Sequence, residues 1–139
     1  MGYASVVVGT DGSASAEHAV RAAAELAGSA ALVVVTAFDA SGGDERTTSV
    51  PVARADAEQL AERGREVARS AGADRVEALA SEGRPADVLL GVAGERGADL
   101  IVVGSLGMTG IARFTLGGVA NDVTHHAPCD VLVVHTDDA

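Results

Sequence analysis

Lysine is absent from the 139-residue chain, and all ten basic residues are arginine. That absence removes the P-loop lysine, the Schiff-base lysine and the receiver-domain lysine together. Basic residues are also scarce, ten against twenty acidic, which leaves a formal charge of −10. A field of that sign repels nucleic acid phosphate and anionic lipid, so neither nucleic acid nor a membrane is expected as a partner. Aromatics amount to 2% of the chain, namely Tyr3, Phe38 and Phe114. A core built from Val, Leu, Ile and Ala favours thin, closely packed helix–sheet layers over an aromatic-rich sandwich. Cys129 is the single cysteine. It has no partner for an internal disulfide and reads as a small core residue. No apolar run approaches transmembrane length, and the start of the sequence lacks the basic-then-apolar pattern of a secretory signal. The expected compartment is the cytoplasm.

What is present is ordinary for a globular protein: 47% hydrophobic and 22% charged residues. That composition excludes disorder over most of the length. A chain of this size forms about one domain, here residues 1–139, and buries roughly two-thirds of its unfolded surface without a disulfide or metal.

Apolar runs and helical repeats alternate along the chain. Residues 4–8 (ASVVV), 31–37 (ALVVVTA), 99–104 (DLIVVG) and 130–135 (DVLVVH) are continuous apolar runs, the signature of strands buried on both faces. Residues 75–81 (RVEALAS) alternate instead, as a strand near a sheet edge does. Between them lie helical repeats. Ser13 can cap a helix to about Ala27, with Ala16, Ala19, Val20, Ala23 and Ala27 on one face. A second helix is expected from Pro51 to about Ala71, with Ala57, Leu60, Ala61, Gly64 and Ala68 inward. A third starts at Gly83-Arg84-Pro85, with Ala86, Leu89, Leu90 and Ala93 inward until Gly97. In the fourth, Leu116, Val119, Ala120 and Val123 recur up to about Ala127, before Pro128. Residues 39–50 read as a polar loop and 105–115 as a glycine-containing loop. The order βαβαβαβαβ implies a doubly wound α/β domain: a parallel sheet with helices on both faces.

Ligands of such sheets bind beyond the carboxyl ends of the strands, where strand order reverses. This selects residues 9–13, 36–39 and 104–118. The last segment, Gly104-Ser105-Leu106-Gly107-Met108-Thr109-Gly110 and then Gly117-Gly118 at a helix start, offers backbone N–H groups to an anion. The alternative is a plain loop with helix-start glycines.

Gly104-x2-Gly107-x9-Gly117 resembles the nucleotide-binding pattern G-x2-G-x9-G-[S/T] of the universal stress protein family. The opening Val6-Val7-Val8-Gly9-Thr10-Asp11-Gly12-Ser13 looks like that family's first strand and acidic turn. The ending Ala127-Pro128-Cys129-Asp130-Val131-Leu132-Val133-Val134 looks like its closing strand. The likeness, covering essentially the whole chain, is to single-domain, adenine-nucleotide-binding members of the actinobacterial kind. It implies a five-stranded parallel sheet of order 3-2-1-4-5, of the adenine nucleotide alpha hydrolase type. It further implies a homodimer paired through the last strand, and a bound ATP, AMP or cyclic AMP, with magnesium where phosphates need it and no redox cofactor.

Under that resemblance Asp11 would accept hydrogen bonds from ribose and Thr10 would shape the base pocket. Ala37 would contact adenine with Val103 behind it, and Gly104 would pack against ribose. Gly107, Gly117, Gly118 and Val119 would offer N–H groups to phosphates. Arg113 could reach a phosphate or stay solvated. Gly118 departs from the pattern, which has Ser or Thr there. The missing hydroxyl is worth about 1–2 kcal/mol if its bond is charge-assisted, which favours a smaller phosphate load than a triphosphate.

The remaining polar features have structural readings. Ser41-Gly42-Gly43-Asp44 resembles a pyrophosphatase loop but follows the second strand rather than the first, and reads as a polar loop. His125-His126 decorates a helix end. His18 and His135 have no nucleophile beside them. Three functions stay open on the sequence: a stress-response protein regulated by a bound adenine nucleotide, a slow ATPase or phosphotransferase using the same pocket, and an interaction protein without nucleotide.

Overall fold

The fold was described from a computed structural model, which describes residues 2–38, 53–105 and 118–135. Five strands, β1 (Ser5–Gly9), β2 (Ala31–Phe38), β3 (Arg75–Glu82), β4 (Leu100–Gly104) and β5 (Asp130–Val134), form one parallel sheet in the order β3-β2-β1-β4-β5. Four helices connect them: α1 (Ala14–Ala27), α2 (Arg54–Ser70), α3 (Pro85–Arg96) and α4 (Gly118–His126).

The continuous valine runs are explained by two cores. Val6 and Val8 of β1, with Leu32, Val34, Leu100 and Val102, face α1 and Ala68 of α2. Val7, with Val33, Val35, Ile101 and Val103, faces the other way, onto α3 and α4. Successive strand residues point to opposite faces, so a strand covered on both sides needs apolar residues at every position. Each such valine buried contributes roughly 1.5–3 kcal/mol over leaving it in water. The helices answer with alanine: Ala19, Ala23 and Ala24 of α1 are fully buried. Alanine is the best helix former, and its small side chain lets the helix axis lie close to the sheet.

The helix ends follow their sequence signals with one exception. Ser13 caps α1 by accepting from the Ala16 amide at 3.1 Å, and Pro85 occupies the first turn of α3. Gly97 closes α3 in the left-handed region at φ 62°. The expected helix start at Pro51 is corrected: Ala53 is extended (φ −70°, ψ 154°) and α2 begins at Arg54. Leu90 is only half-buried, whereas Val88 and Val92 of α3 are buried alongside Ala86, Leu89 and Ala93. With α3 and α4 adjacent, the buried surface of α3 is wider than the single stripe expected. The expected loops 39–50 and 105–115 lie outside the described residues except Ser105, and so does Leu116.

Candidate functional site

The chain leaves β1 toward β2 on one side and returns to β4 on the other, so the order reverses between β1 and β4. Their registers place Val8 beside Val102, and both strands end in a glycine, Gly9 and Gly104. A small cleft opens there, between the ends of β1 and β4 and the first turn of α1.

The turn after β1 forms one wall, and its own side chains order it. Thr10 is buried; its amide donates to the Val35 carbonyl at 2.9 Å and its Oγ1 accepts from the Gly12 amide at 3.1 Å. Asp11 Oδ1 accepts from the Ser13 amide at 2.9 Å. Aspartate favours this turn because its short carboxylate reaches the amide two residues on. Gly12 then takes φ 84°, a conformation that disfavours any side chain. The result places the Asp11 carboxylate beside the amino end of α1, where a negative charge is also favoured by the helix dipole.

Gly104 forms the facing wall. A Cβ on it would lie 3.1 Å from Ser15 Oγ, so glycine lets β4 end close against α1. The amide of the next residue, Ser105, donates to the Val134 carbonyl at 2.9 Å, which ties the start of the glycine segment to β5. Leu89 of α3 closes the cleft from below. Its methyls would meet a Cβ on Gly9 at 3.1 and 3.2 Å.

Of the residues singled out from sequence, Thr10, Asp11, Val103, Gly104 and Val119 line this one cleft. Ala37 is half-buried at the end of β2 and is not part of the lining; Gly118 is exposed at the start of α4 and is likewise outside it. Gly107, Gly117 and Arg113 lie outside the described residues. The cleft also takes in Gly9 and Ser13, read from the sequence as turn and α1 cap, Ala16 and Leu89, read as inward helix positions, and Ser15, which the sequence reading does not single out. Ser13 and Ser15 carried a detectable signal, as hydroxyls in the first turn of a helix at the switch point. Leu89 carried none, since its spacing is that of any inward leucine.

Outside the cleft the titratable groups have structural partners. At the opposite rim Asp99 accepts from the Ala4 and Ser5 amides at 3.0 Å each, which holds its carboxyl below the usual range. The Tyr3 hydroxyl donates to Asp130 at 3.0 Å, and that bond raises its pKa. Arg96 makes a bidentate pair with Glu77, both bonds 2.7 Å, which lowers the Glu77 pKa. Cys129 packs against the α3–α4 core, and burial pushes its thiol pKa up. His125 and His126 each place Nδ1 within 2.9 Å of a carbonyl one turn back. Among the described residues no group of three His, Cys, Asp or Glu could hold a metal, and no helix is long and apolar enough to cross a membrane.

Comparison with known proteins agrees with this architecture. A universal stress protein of Mycobacterium tuberculosis is 39% identical, over 96% of this chain and 97% of its own. A putative universal stress protein of Staphylococcus haemolyticus is 34% identical over 98% of this chain and 87% of its own. Among solved structures, a universal stress protein in complex with cAMP superposes with TM-score 0.80 at 35% identity, covering 99% of this chain and all of that one. The universal stress protein of Archaeoglobus fulgidus in complex with dAMP gives TM-score 0.70 at 30% identity, covering 96% and 98%. The family model "Universal stress protein family" matches residues 2–135, and with these relatives it establishes that the chain belongs to the universal stress protein family.

Proposed function

We propose that this protein binds an adenine nucleotide in the cleft between β1 and β4 and uses it as a regulatory ligand in a stress response. In this reading it is a single-domain cytoplasmic protein that pairs through β5 into a homodimer. The observation that carries the proposal is the convergence of Thr10, Asp11, Val103, Gly104 and Val119 on one cleft at the switch point. Two relatives of at least 30% identity support the ligand class, since they were solved with cAMP and with dAMP. Both of those ligands carry a single phosphate.

Asp11 accepts from the ribose hydroxyls, Thr10 and Ala37 border the base, and Val103 backs it. The family resemblance assigns phosphate contact to the backbone N–H groups of Gly107, Gly117, Gly118 and Val119, with Arg113 as a candidate cation. Gly118 supplies no hydroxyl, so a monophosphate is favoured over ATP with magnesium. Among the described residues, a Cβ on Gly118 meets nothing within 4 Å.

Calorimetry with cAMP, AMP and ATP on one preparation tests the reading. Asp11→Ala is expected to weaken binding by roughly 10–100-fold, the loss of a hydrogen bond to a charged group. Gly118→Ser is expected to raise ATP affinity relative to cAMP. No binding by the wild-type chain overturns the proposal, and unchanged affinity in Asp11→Ala removes that residue from the site. A turnover assay with Asp11→Ala as control separates binding from slow hydrolysis.

A further inference from the structure

The acidic turn is held from outside the cleft. Leu60 sits in the first half of α2 and belongs to neither core cluster. Its methyl occupies the space a side chain would take on Gly12: a Cβ there would lie 2.5 Å from Leu60 Cδ2 and 3.7 Å from Cγ. One turn later, Gly64 brings the α2 backbone down on the same segment. A Cβ on Gly64 would lie 2.7 Å from Val34 Cγ1 and 3.2 Å from Thr10 Cγ2. Positions four apart share one helix face, so α2 presses on both Thr10 and Gly12, the residues flanking Asp11. Leu60 is half-buried although large and apolar, and it lies against the turn at Gly12.

We infer that Leu60 is a positioning residue for Asp11: by filling the space over Gly12 it fixes the turn that aims the Asp11 carboxylate at a ribose-bearing ligand. The hydrogen bonds it protects are those from the Gly12 amide to Thr10 Oγ1 and from the Ser13 amide to Asp11 Oδ1. If the turn loosens, Asp11 samples orientations that do not meet the ligand, and affinity falls although Leu60 never touches it. The ligand consequence rests on the nucleotide reading above, whereas the locking of the turn does not.

Hydrogen exchange and cAMP calorimetry on Leu60→Ala, Leu60→Met and Asp11→Ala/Leu60→Ala test this. Leu60→Ala is expected to fold, because Leu60 lies outside both cores. Its Gly12 and Ser13 amides should exchange roughly tenfold faster, the factor for loss of one or two buried methylene contacts, while amides inside β1 and β4 keep their protection. Affinity for cAMP should fall at least about fivefold, the size of coupling between contacting groups, and Leu60→Met should restore both readouts. In the Asp11→Ala background, which removes the acceptor of the Ser13 amide, the affinity effect should vanish while the exchange effect at the Gly12 amide persists. Unchanged exchange at Gly12 and Ser13, or a uniform rise across the chain, overturns the inference. Faster exchange at the turn in a protein that binds no nucleotide even as wild type upholds the lock and overturns the nucleotide reading instead.

Discussion

Thr36 carries a hydroxyl that is 98% buried with its residue, and its Oγ1 has no hydrogen-bond partner among the described residues. An unsatisfied buried hydroxyl costs about 1–3 kcal/mol, whereas its methyl counterpart costs nothing electrostatically. Thr36→Val is therefore expected to stabilise the protein by about 1 kcal/mol, read as a higher urea midpoint with unchanged slope. A lower midpoint would mean that the hydroxyl is satisfied. Single residues were legible in the sequence when their chemistry acts locally. Ser13 as a cap and Asp11 in an acidic turn need only the next few amides, and both were read correctly as to place. Leu60 and Leu89 were equally visible but looked like core leucines, because whether a leucine faces a sheet or a functional turn depends on residues far away in the chain.

At the level of elements, the strands were the most legible, since burial on both faces writes an unbroken apolar run into the sequence. The start of α2 was misread because Pro51 signals a first helical turn, and nothing in the sequence shows that Ala53 stays extended. The start of β4 was misplaced by one residue: Asp99 does not begin the strand, which starts at Leu100, but uses its carboxylate to receive two amides of the neighbouring segment. That arrangement has a pH signature. The Asp99 pKa lies below its ordinary 3.8, chiefly through the Ala4 and then the Ser5 amide. A depressed carboxylate gives stability that is fully present above its unfolded pKa and is lost as pH falls through the lower folded value. Asp99→Asn should then be less stable than wild type at neutral pH, with the two urea midpoints converging below about pH 4. A constant gap down to pH 2.5 would show that the charge plays no part.

For the whole molecule, the governing features are the charge of −10 and an apolar edge. Residues 131–134 of β5 are half-buried, although among the described residues β5 pairs only with β4. An edge strand with no interrupting charge or proline invites a second strand, and the twofold solution sets two copies antiparallel. In the proposed dimer, Val133→Lys on both chains places like charges near the axis. Sedimentation should then show a monomer for the variant and a dimer for the wild type at micromolar concentration; a dimeric variant would move the interface elsewhere. The alternation of strands and helices made the parallel, doubly wound class legible, the order 3-2-1-4-5 came only with the family resemblance, and the cleft needed β1, β4, α1 and α3 assembled before its outline existed.

The position of β1 at the centre of the sheet has a kinetic consequence. It precedes the other four strands in the chain, yet its pairing with β4 joins Val6 to Leu100. The partner on its other side comes much sooner, with Ser5 beside Ala31. Contacts distant in sequence form late, because loop closure must be completed before they stabilise anything. The growing chain can therefore build β1, α1 and β2 as a local unit, but the half-sheet keeps one flank of its central strand exposed until β4 emerges. During that interval the valines that later form the middle of the core present an open edge to other chains. Folding of this domain is thus most exposed to aggregation before β4 has been made.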